Sequence, residues 1–205
     1  MTMTPSSSAL AVAPAFEPAR VAGAHLAEAA RAIHIAFARA PNVQYALCGA
    51  YALALLGCPR PTSRIECIIA NGKFGAVKRI LPGALWWHPR VAAGAMTSYY
   101  TTHSGVAVEV RWYEAGIVGP RRIAPGPGGT VAQTSAGVCA LNATQLLRAA
   151  IKAFAKDGED ADADSIRWLA AQRGLHIDLG RALAGLEEDV SVVLDEQPNL
   201  RTMLR

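Results

Sequence analysis

The sequence predicts an α+β fold: a small mixed β-sheet with helices on one face, followed by a C-terminal helical segment. Three features carry that expectation. Short apolar runs alternate with helical stretches up to residue 141, two of those runs have hairpin spacing, and the chain from Asn142 onward has helical character throughout. The 205 residues suffice for one domain with a sizeable core and an appended helical part. With 52% hydrophobic and 18% charged residues, most of the chain is expected to fold rather than stay disordered.

In order, residues 1–20 (MTMTPSSSALAVAPAFEPAR) read as a flexible arm, lacking the basic start of a secretion signal. An α/β core is expected over 21–141, and a helical segment packed on it over 142–205. Val21 to Ala40 has apolar residues at helical spacing and stops at Pro41. Val43 to Cys48 reads as a buried strand, and Gly49-Ala50 turns it into a helix that ends at Gly57. A turn at Pro59 to Pro61 leads into a strand from about Arg64 to Ala70, broken by Asn71-Gly72. KFGAVKRIL follows as an amphipathic helix, and WWHP as a short strand or packed connection. Met96 to Thr102 and Val106 to Tyr113 form a hairpin turning at His103 to Gly105. Glycine and proline then dominate Ala115 to Ala136, a length of loop typical of lids and binding loops. GVCAL is a last strand. Three helices complete the chain: one from Asn142, capped by Asn142 or Thr144; one capped by Asp160 or Asp162 and ending at Gly174; and one through HIDLGRALAGLEEDVSVVLDEQ, stopped by Pro198.

Bulk properties exclude several classes. No apolar stretch approaches the roughly 18 residues of a membrane helix, so the chain is expected to be cytoplasmic with no membrane partner. Cys48, Cys58, Cys67 and Cys139 show neither C-x-x-C pairing nor a metal-ligand rhythm, and read as reduced thiols. A net charge of +4 and a pI near 9.0 mildly favour an anionic partner.

The chemistry concentrates in GCPRPTSRIECII, Gly57 to Ile69. Arg64 and Glu66 interrupt its apolar strand at a spacing of two, which puts both on one face. In VAVEVRW, Glu109 shares a strand face with Ala107 and Arg111. The order of parts resembles the nucleotidyltransferase superfamily, whose members share the palm fold of DNA polymerase beta. That family has a strand, a Gly-Gly or Gly-Ser turn, a helix, then G-x-x-R-x-T-x-D-I-D, with a third carboxylate inside a V-x-V run. Here YALC, Gly49-Ala50 and YALALL are followed by Gly57, Arg60, Thr62 and Arg64-Ile65-Glu66, while Glu109 takes the third place. The tail resembles the L-x-x-x-K-x-x-A and D-x-x-D-I-x-x-L elements of small bacterial and fungal relatives. Lys152 matches the lysine, Asp162 the first acid, and Ser165 stands where the second would be. The resemblance spans about Gln44 to Leu169.

What the resemblance implies is a degenerate site. Nucleotidyl transfer uses two hard cations about 3.5–4 Å apart, held by carboxylates. Arg64 stands in the first ligand position, and a guanidinium cannot coordinate a cation. Two-metal transfer is therefore expected to be lost. Glu66 and Glu109 are the implied acid and base, or weak holders of a single Mg²⁺ at most. Arg64 would hold an anionic group where a metal would otherwise sit. Gly49 and Ala50 would present backbone N–H groups to substrate at a helix start, although Ala50 lacks the hydroxyl of a Gly-Ser turn. Arg60, Thr62 and Lys152 complete the implied substrate contacts, and a nucleotide or an RNA end, such as that of tRNA, is the implied partner.

Two other functions fit the same residues. One is a transferase acting on an adenylated or tRNA-borne substrate without two metals, by positioning and proton transfer. The other is a catalytically inactive binding or regulatory module. Plainer readings also stand: Arg64 and Glu66 as a solvated strand entrance, Arg60 and Thr62 as turn residues, and Lys152 as a helix-surface lysine. Trp86, Trp87, Tyr99 and Tyr100 would stack on a base or fill the core. The oligomeric state is not legible.

Overall fold

The computed structural model describes residues 23–81, 85–92, 95–117, 119–120, 122–123, 131–133, 137–172 and 174–204, with backbone alone for 85–92, 95 and 131–133. The expected N-terminal arm lies outside the described residues, as does most of the glycine- and proline-rich segment.

Helix α1 (Gly23–Ala38) precedes strand β1 (Tyr45–Cys48), which runs directly into helix α2 (Gly49–Leu55). Strand β2 (Arg64–Ile69), helix α3 (Phe74–Ile80) and strands β3 (Leu85–Ala92), β4 (Ala95–Thr101) and β5 (Ala107–Glu114) follow. Two short strands, β6 (Val131–Gln133) and β7 (Cys139–Leu141), lead to helices α4 (Ala143–Asp157), α5 (Asp160–Ala171), α6 (Leu179–Leu183) and α7 (Glu187–Glu196). The strands form a seven-stranded sheet in the order β3-β4-β5-β2-β1-β7-β6. Pairing is parallel for β2 with β5 and for β1 with β7, and antiparallel elsewhere. A mixed sheet flanked by helices, then a helical stretch, is the α+β arrangement that the sequence predicts.

The register separates core from site. In β5, Val108, Val110 and Trp112 are buried, while Ala107, Glu109, Arg111 and Tyr113 alternate with them on the other face. Helix α1 covers the apolar face. Its Leu26, Ala29, Ala30, Ile33 and Phe37 recur at helical spacing and are buried. Phe37 stacks on Trp112 with ring centroids 5.5 Å apart and tilts against Tyr45 at 4.5 Å. Glu28 of the same helix accepts from the Tyr100 hydroxyl and the His103 backbone N–H, and bonds the His103 ring at 2.7 Å. These contacts tie α1 to the β4–β5 hairpin. Helix α4 is the hub of the C-terminal stretch, with Leu146, Leu147, Ile151 and Phe154 buried. Among the described residues, no helix is long and apolar enough to cross a membrane.

Several local expectations need correction. The segment read as one loop from Ala115 to Ala136 contains β6, a partner for β7. Three residues of strand among glycines and prolines are too few for a visible alternation. The last expected helix is two, α6 and α7, separated at Gly185, whose φ of +68° is a left-handed conformation that glycine adopts without steric cost. Pro198 does more than stop α7: it opens a 3₁₀ turn, Pro198–Thr202. Helix α5 is preceded by Glu159, whose side chain makes no capping bond, so Asp160 and Asp162 fall inside the first turn. The charge of Asp160 suits the positive end of the helix there. Asn142 does cap α4, accepting from the Gln145 N–H at 3.0 Å. Cys48, Cys58, Cys67 and Cys139 are free thiols, the first three buried.

Candidate functional site

A hollow of about 380 Å³ opens between the polar face of β2–β5 and the helices α4 and α5. Its strand side carries Arg64, Glu66, Arg111 and Tyr113, and its helix side carries Lys152, Lys156, Asp157, Glu159, Asp162 and Ser165. The turn before β2 contributes Arg60 and Thr62, and the start of α2 contributes Gly49 and Ala50.

Glu66 is the centre of the strand side. Its Oε1 accepts from Arg64 Nε at 3.3 Å and from the Tyr113 hydroxyl at 3.4 Å. The other oxygen lies over Gly49, so close that a Cβ there would sit 1.7 Å from it. Gly49 also has a φ of +63°. The glycine is therefore required twice, by backbone conformation and by the carboxylate packed on it. Burial first, then the charge of Glu66, pushes the Tyr113 hydroxyl up to about 12, so at neutral pH it stays a donor to that carboxylate. Burial also raises the Cys48 thiol, with Glu66 adding to it, which keeps this neighbour a neutral packing group.

Parallel pairing sets Arg64 opposite Glu109 and Glu66 opposite Arg111. Glu109 accepts from Arg111 Nε at 2.5 Å and is absent from the lining of the hollow. Burial pulls the Arg111 guanidinium down, but bonding to Glu109 and Tyr113 outweighs it and leaves the group above its ordinary value.

The remaining expected residues are placed as follows. Arg60 reaches across to α5, donating to the Ala161 carbonyl and, at 2.9 Å, to Ser165 Oγ. Thr62 uses its hydroxyl locally, donating to the Arg64 carbonyl at 3.0 Å. Lys152 donates to the Gly116 carbonyl at 2.7 Å, joining α4 to the chain after β5. Residues 60, 62, 64, 66, 49, 50 and 152 all line the hollow; Glu109 is the exception. Tyr99 and Tyr100 do not line it either. Arg111, Tyr113 and Lys156 belong to the lining without having been assigned a role from sequence, as does Asp162, which the sequence offered as a helix cap and as the first acid of a motif. For Arg111 and Tyr113 the signal was present: they alternate with Val110 and Trp112 on the face of Glu109.

Asp162 is the most perturbed acid at the site. Its carboxyl is pushed up to about 6, by burial above all, with Glu159, Glu66 and Asp157 adding and Arg60 opposing. A folded value above the ordinary 3.8 means that the folded state holds the proton more tightly. The associated stability is fully present below about pH 3.8 and is lost as pH rises through about 6. Asp162→Asn is expected to raise the melting temperature at pH 7.5 by about 2–4 °C, or about 1 kcal/mol once solvent screening is allowed for. At pH 4 it should change little. Melting curves at both pH values check this, and equal shifts at both would refute the assignment of the strain to the charged carboxyl.

Metal chemistry can be judged from the donor set. Among the described residues, no three His, Cys, Asp or Glu side chains are grouped so as to hold a metal ion. Glu66 is paired with Arg64, and Glu109 with Arg111. These residues do not fit the Mg²⁺ pair of nucleotidyl transfer.

No family model and no curated protein matches the chain. Its fold is similar to that of an antigenic nucleotidyltransferase-like protein from Paracoccidioides brasiliensis, at 15% identity and a TM-score of 0.59, covering 91% of this chain and 94% of that one. JHP933 from Helicobacter pylori superposes more loosely, at 16% identity and a TM-score of 0.49, covering 87% and 81% of the two chains. At 15% identity the likeness to the Paracoccidioides brasiliensis protein is one of fold alone, a nucleotidyltransferase-like fold.

Proposed function

We propose, starting from this nucleotidyltransferase-like fold, that the chain binds a nucleotide or a nucleotide-bearing substrate in the hollow between sheet and C-terminal helices, and that it has lost two-metal nucleotidyl transfer. The observation that carries the reading is the lining itself. Arg60, Arg64, Arg111, Lys152 and Lys156 gather around one concave space, while its carboxylates are not grouped for a metal. Clustered cations in a concave site suit phosphate oxygens.

In this reading Arg60 and Lys152 set the shape of the pocket through their contacts to α5 and Gly116, and add positive charge to it. Arg64 takes an anionic group. Glu66, fixed by Arg64, Tyr113 and Gly49, is the carboxylate available for proton transfer at the strand side. Glu109 acts as a positioning residue for Arg111. A nucleotide or the end of an RNA remains the proposed partner, with the cytoplasm as the compartment.

A thermal-shift panel of nucleoside mono-, di- and triphosphates, each with Mg²⁺ or EDTA, tests the reading. Stabilisation by at least one nucleotide in EDTA is expected. Stabilisation that requires Mg²⁺ would point back to ordinary metal-dependent transfer. No shift with any nucleotide or short RNA would favour an inactive interaction module instead.

A further inference from the structure

We infer that Arg64 and Arg111 form a two-arginine clamp that selects the metal-free polyphosphate of a nucleotide over its Mg²⁺ chelate, because both line the hollow and each is gripped from behind by a carboxylate. The inference rests on the nucleotide-binding reading and adds to it the ionic form of the ligand and a second phosphate-binding arginine.

The argument begins with register. On one face of two parallel strands, Arg64 lies opposite Glu109 and Glu66 opposite Arg111. Charges alternate along each strand and across the pair. Each arginine is held through Nε by the glutamate two residues away on its own strand, at 3.3 Å for Arg64 and 2.5 Å for Arg111. The two carboxylate side chains are each 16% exposed, while Arg64 and Arg111 are 40% and 36% exposed. The acids are thus the inner members and the guanidiniums the outer ones.

At Arg64 a grip at Nε leaves the terminal amino groups for a ligand, whereas Arg111 also bonds Tyr113 and offers only the rest of its fork. The terminal amino groups of Arg64 donate to no described residue. A guanidinium held in this way keeps its planar fork, which matches two oxygens of one phosphate. Fixing it in advance also lowers the entropy lost on binding. Lys156 adds a cation from the helix side of the same hollow.

The same arrangement works against a chelate. Mg²⁺ on a polyphosphate occupies phosphate oxygens, removes two of their negative charges, and in protein sites is held by one or two carboxylates beside its waters. Here the strand carboxylates already face guanidiniums, and an arriving cation would meet Arg64 in the first ligand position. Fixed positive charge has taken the place of the ion, so the ion and the clamp compete for the same oxygens.

Calorimetric titration of ATP into the full chain, in EDTA and in excess MgCl₂ at equal ionic strength, tests this. Affinity is expected to be at least about tenfold tighter in EDTA, the scale of one charge-assisted hydrogen bond. Arg64→Gln and Arg111→Gln should each weaken binding in EDTA by about tenfold and shrink the Mg²⁺ effect. Circular-dichroism melts confirm that the variants fold, and the native chain alone decides the matter if they do not. Binding that Mg²⁺ strengthens or leaves unchanged overturns the clamp while sparing the nucleotide reading. Absence of binding in both buffers overturns the two together.

Discussion

Trp112→Ala is expected to destabilise the chain by about 3–5 kcal/mol, the range for removing a fully buried tryptophan. In a protein of this size that corresponds to a fall in melting temperature of roughly 6–20 °C. Trp112 is wholly inaccessible to solvent, stacks on Phe37 and donates its indole N–H to Ser98 Oγ at 2.8 Å. The substitution opens a cavity and orphans a buried hydroxyl at once. Trp112→Phe separates these effects. It keeps most of the packing and should cost about 1–3 kcal/mol, the penalty for the lost hydrogen bond. The consequence for the site is direct, since Trp112 lies between Arg111 and Tyr113. Its burial on the core face is what turns those two neighbours towards the hollow. Chemical denaturation of the three proteins checks the ranking, and equal stability of the Ala and Phe variants would contradict the packing account.

Gly49→Ala should have the largest effect on the site itself. A non-glycine residue in the left-handed region costs about 1–2 kcal/mol, and the new methyl group would also collide with Glu66 Oε2. Glu66 must then leave Arg64 and Tyr113, so the variant loses both fold stability and the arrangement of the strand side. Nucleotide binding is expected to fall by about tenfold or more, as a charge-assisted contact is lost. Adding Glu66→Ala to Gly49→Ala should recover part of the stability, because the collision is relieved and only the backbone strain remains. If the second substitution recovers nothing, the contact between Gly49 and Glu66 is not what makes glycine necessary.

The sequence announces those parts of the site that are neighbours along the chain. Arg60, Thr62, Arg64 and Glu66 lie within seven residues, and strand periodicity alone puts the last two on one face. The glycine turn before α2 was legible for the same reason. Its cause was not, because the carboxylate that excludes a Cβ comes from a different strand. Alternation in β5 identified the face of Glu109, yet alternation does not say which partner a carboxylate chooses. Arg111, two residues on, takes it, and Glu109 ends outside the lining. The helix side was the least readable. Lys156, Asp157 and Glu159 meet the hollow only because the turn between α4 and α5 folds back towards β2, a relation more than ninety residues apart in sequence that Arg60 fastens through Ala161 and Ser165. Asp162 fitted a motif by position, but its raised carboxyl follows from burial and from acids brought in by that fold.

Photo-crosslinking with 8-azido-ATP in EDTA, followed by peptide mapping, bears most directly on the central claim. Label is expected on peptides from residues 57–66 and 146–165, and unlabelled ATP should displace it. Label confined to peptides that do not line the hollow, or label that excess ATP leaves in place, would contradict a nucleotide site between the sheet and the C-terminal helices.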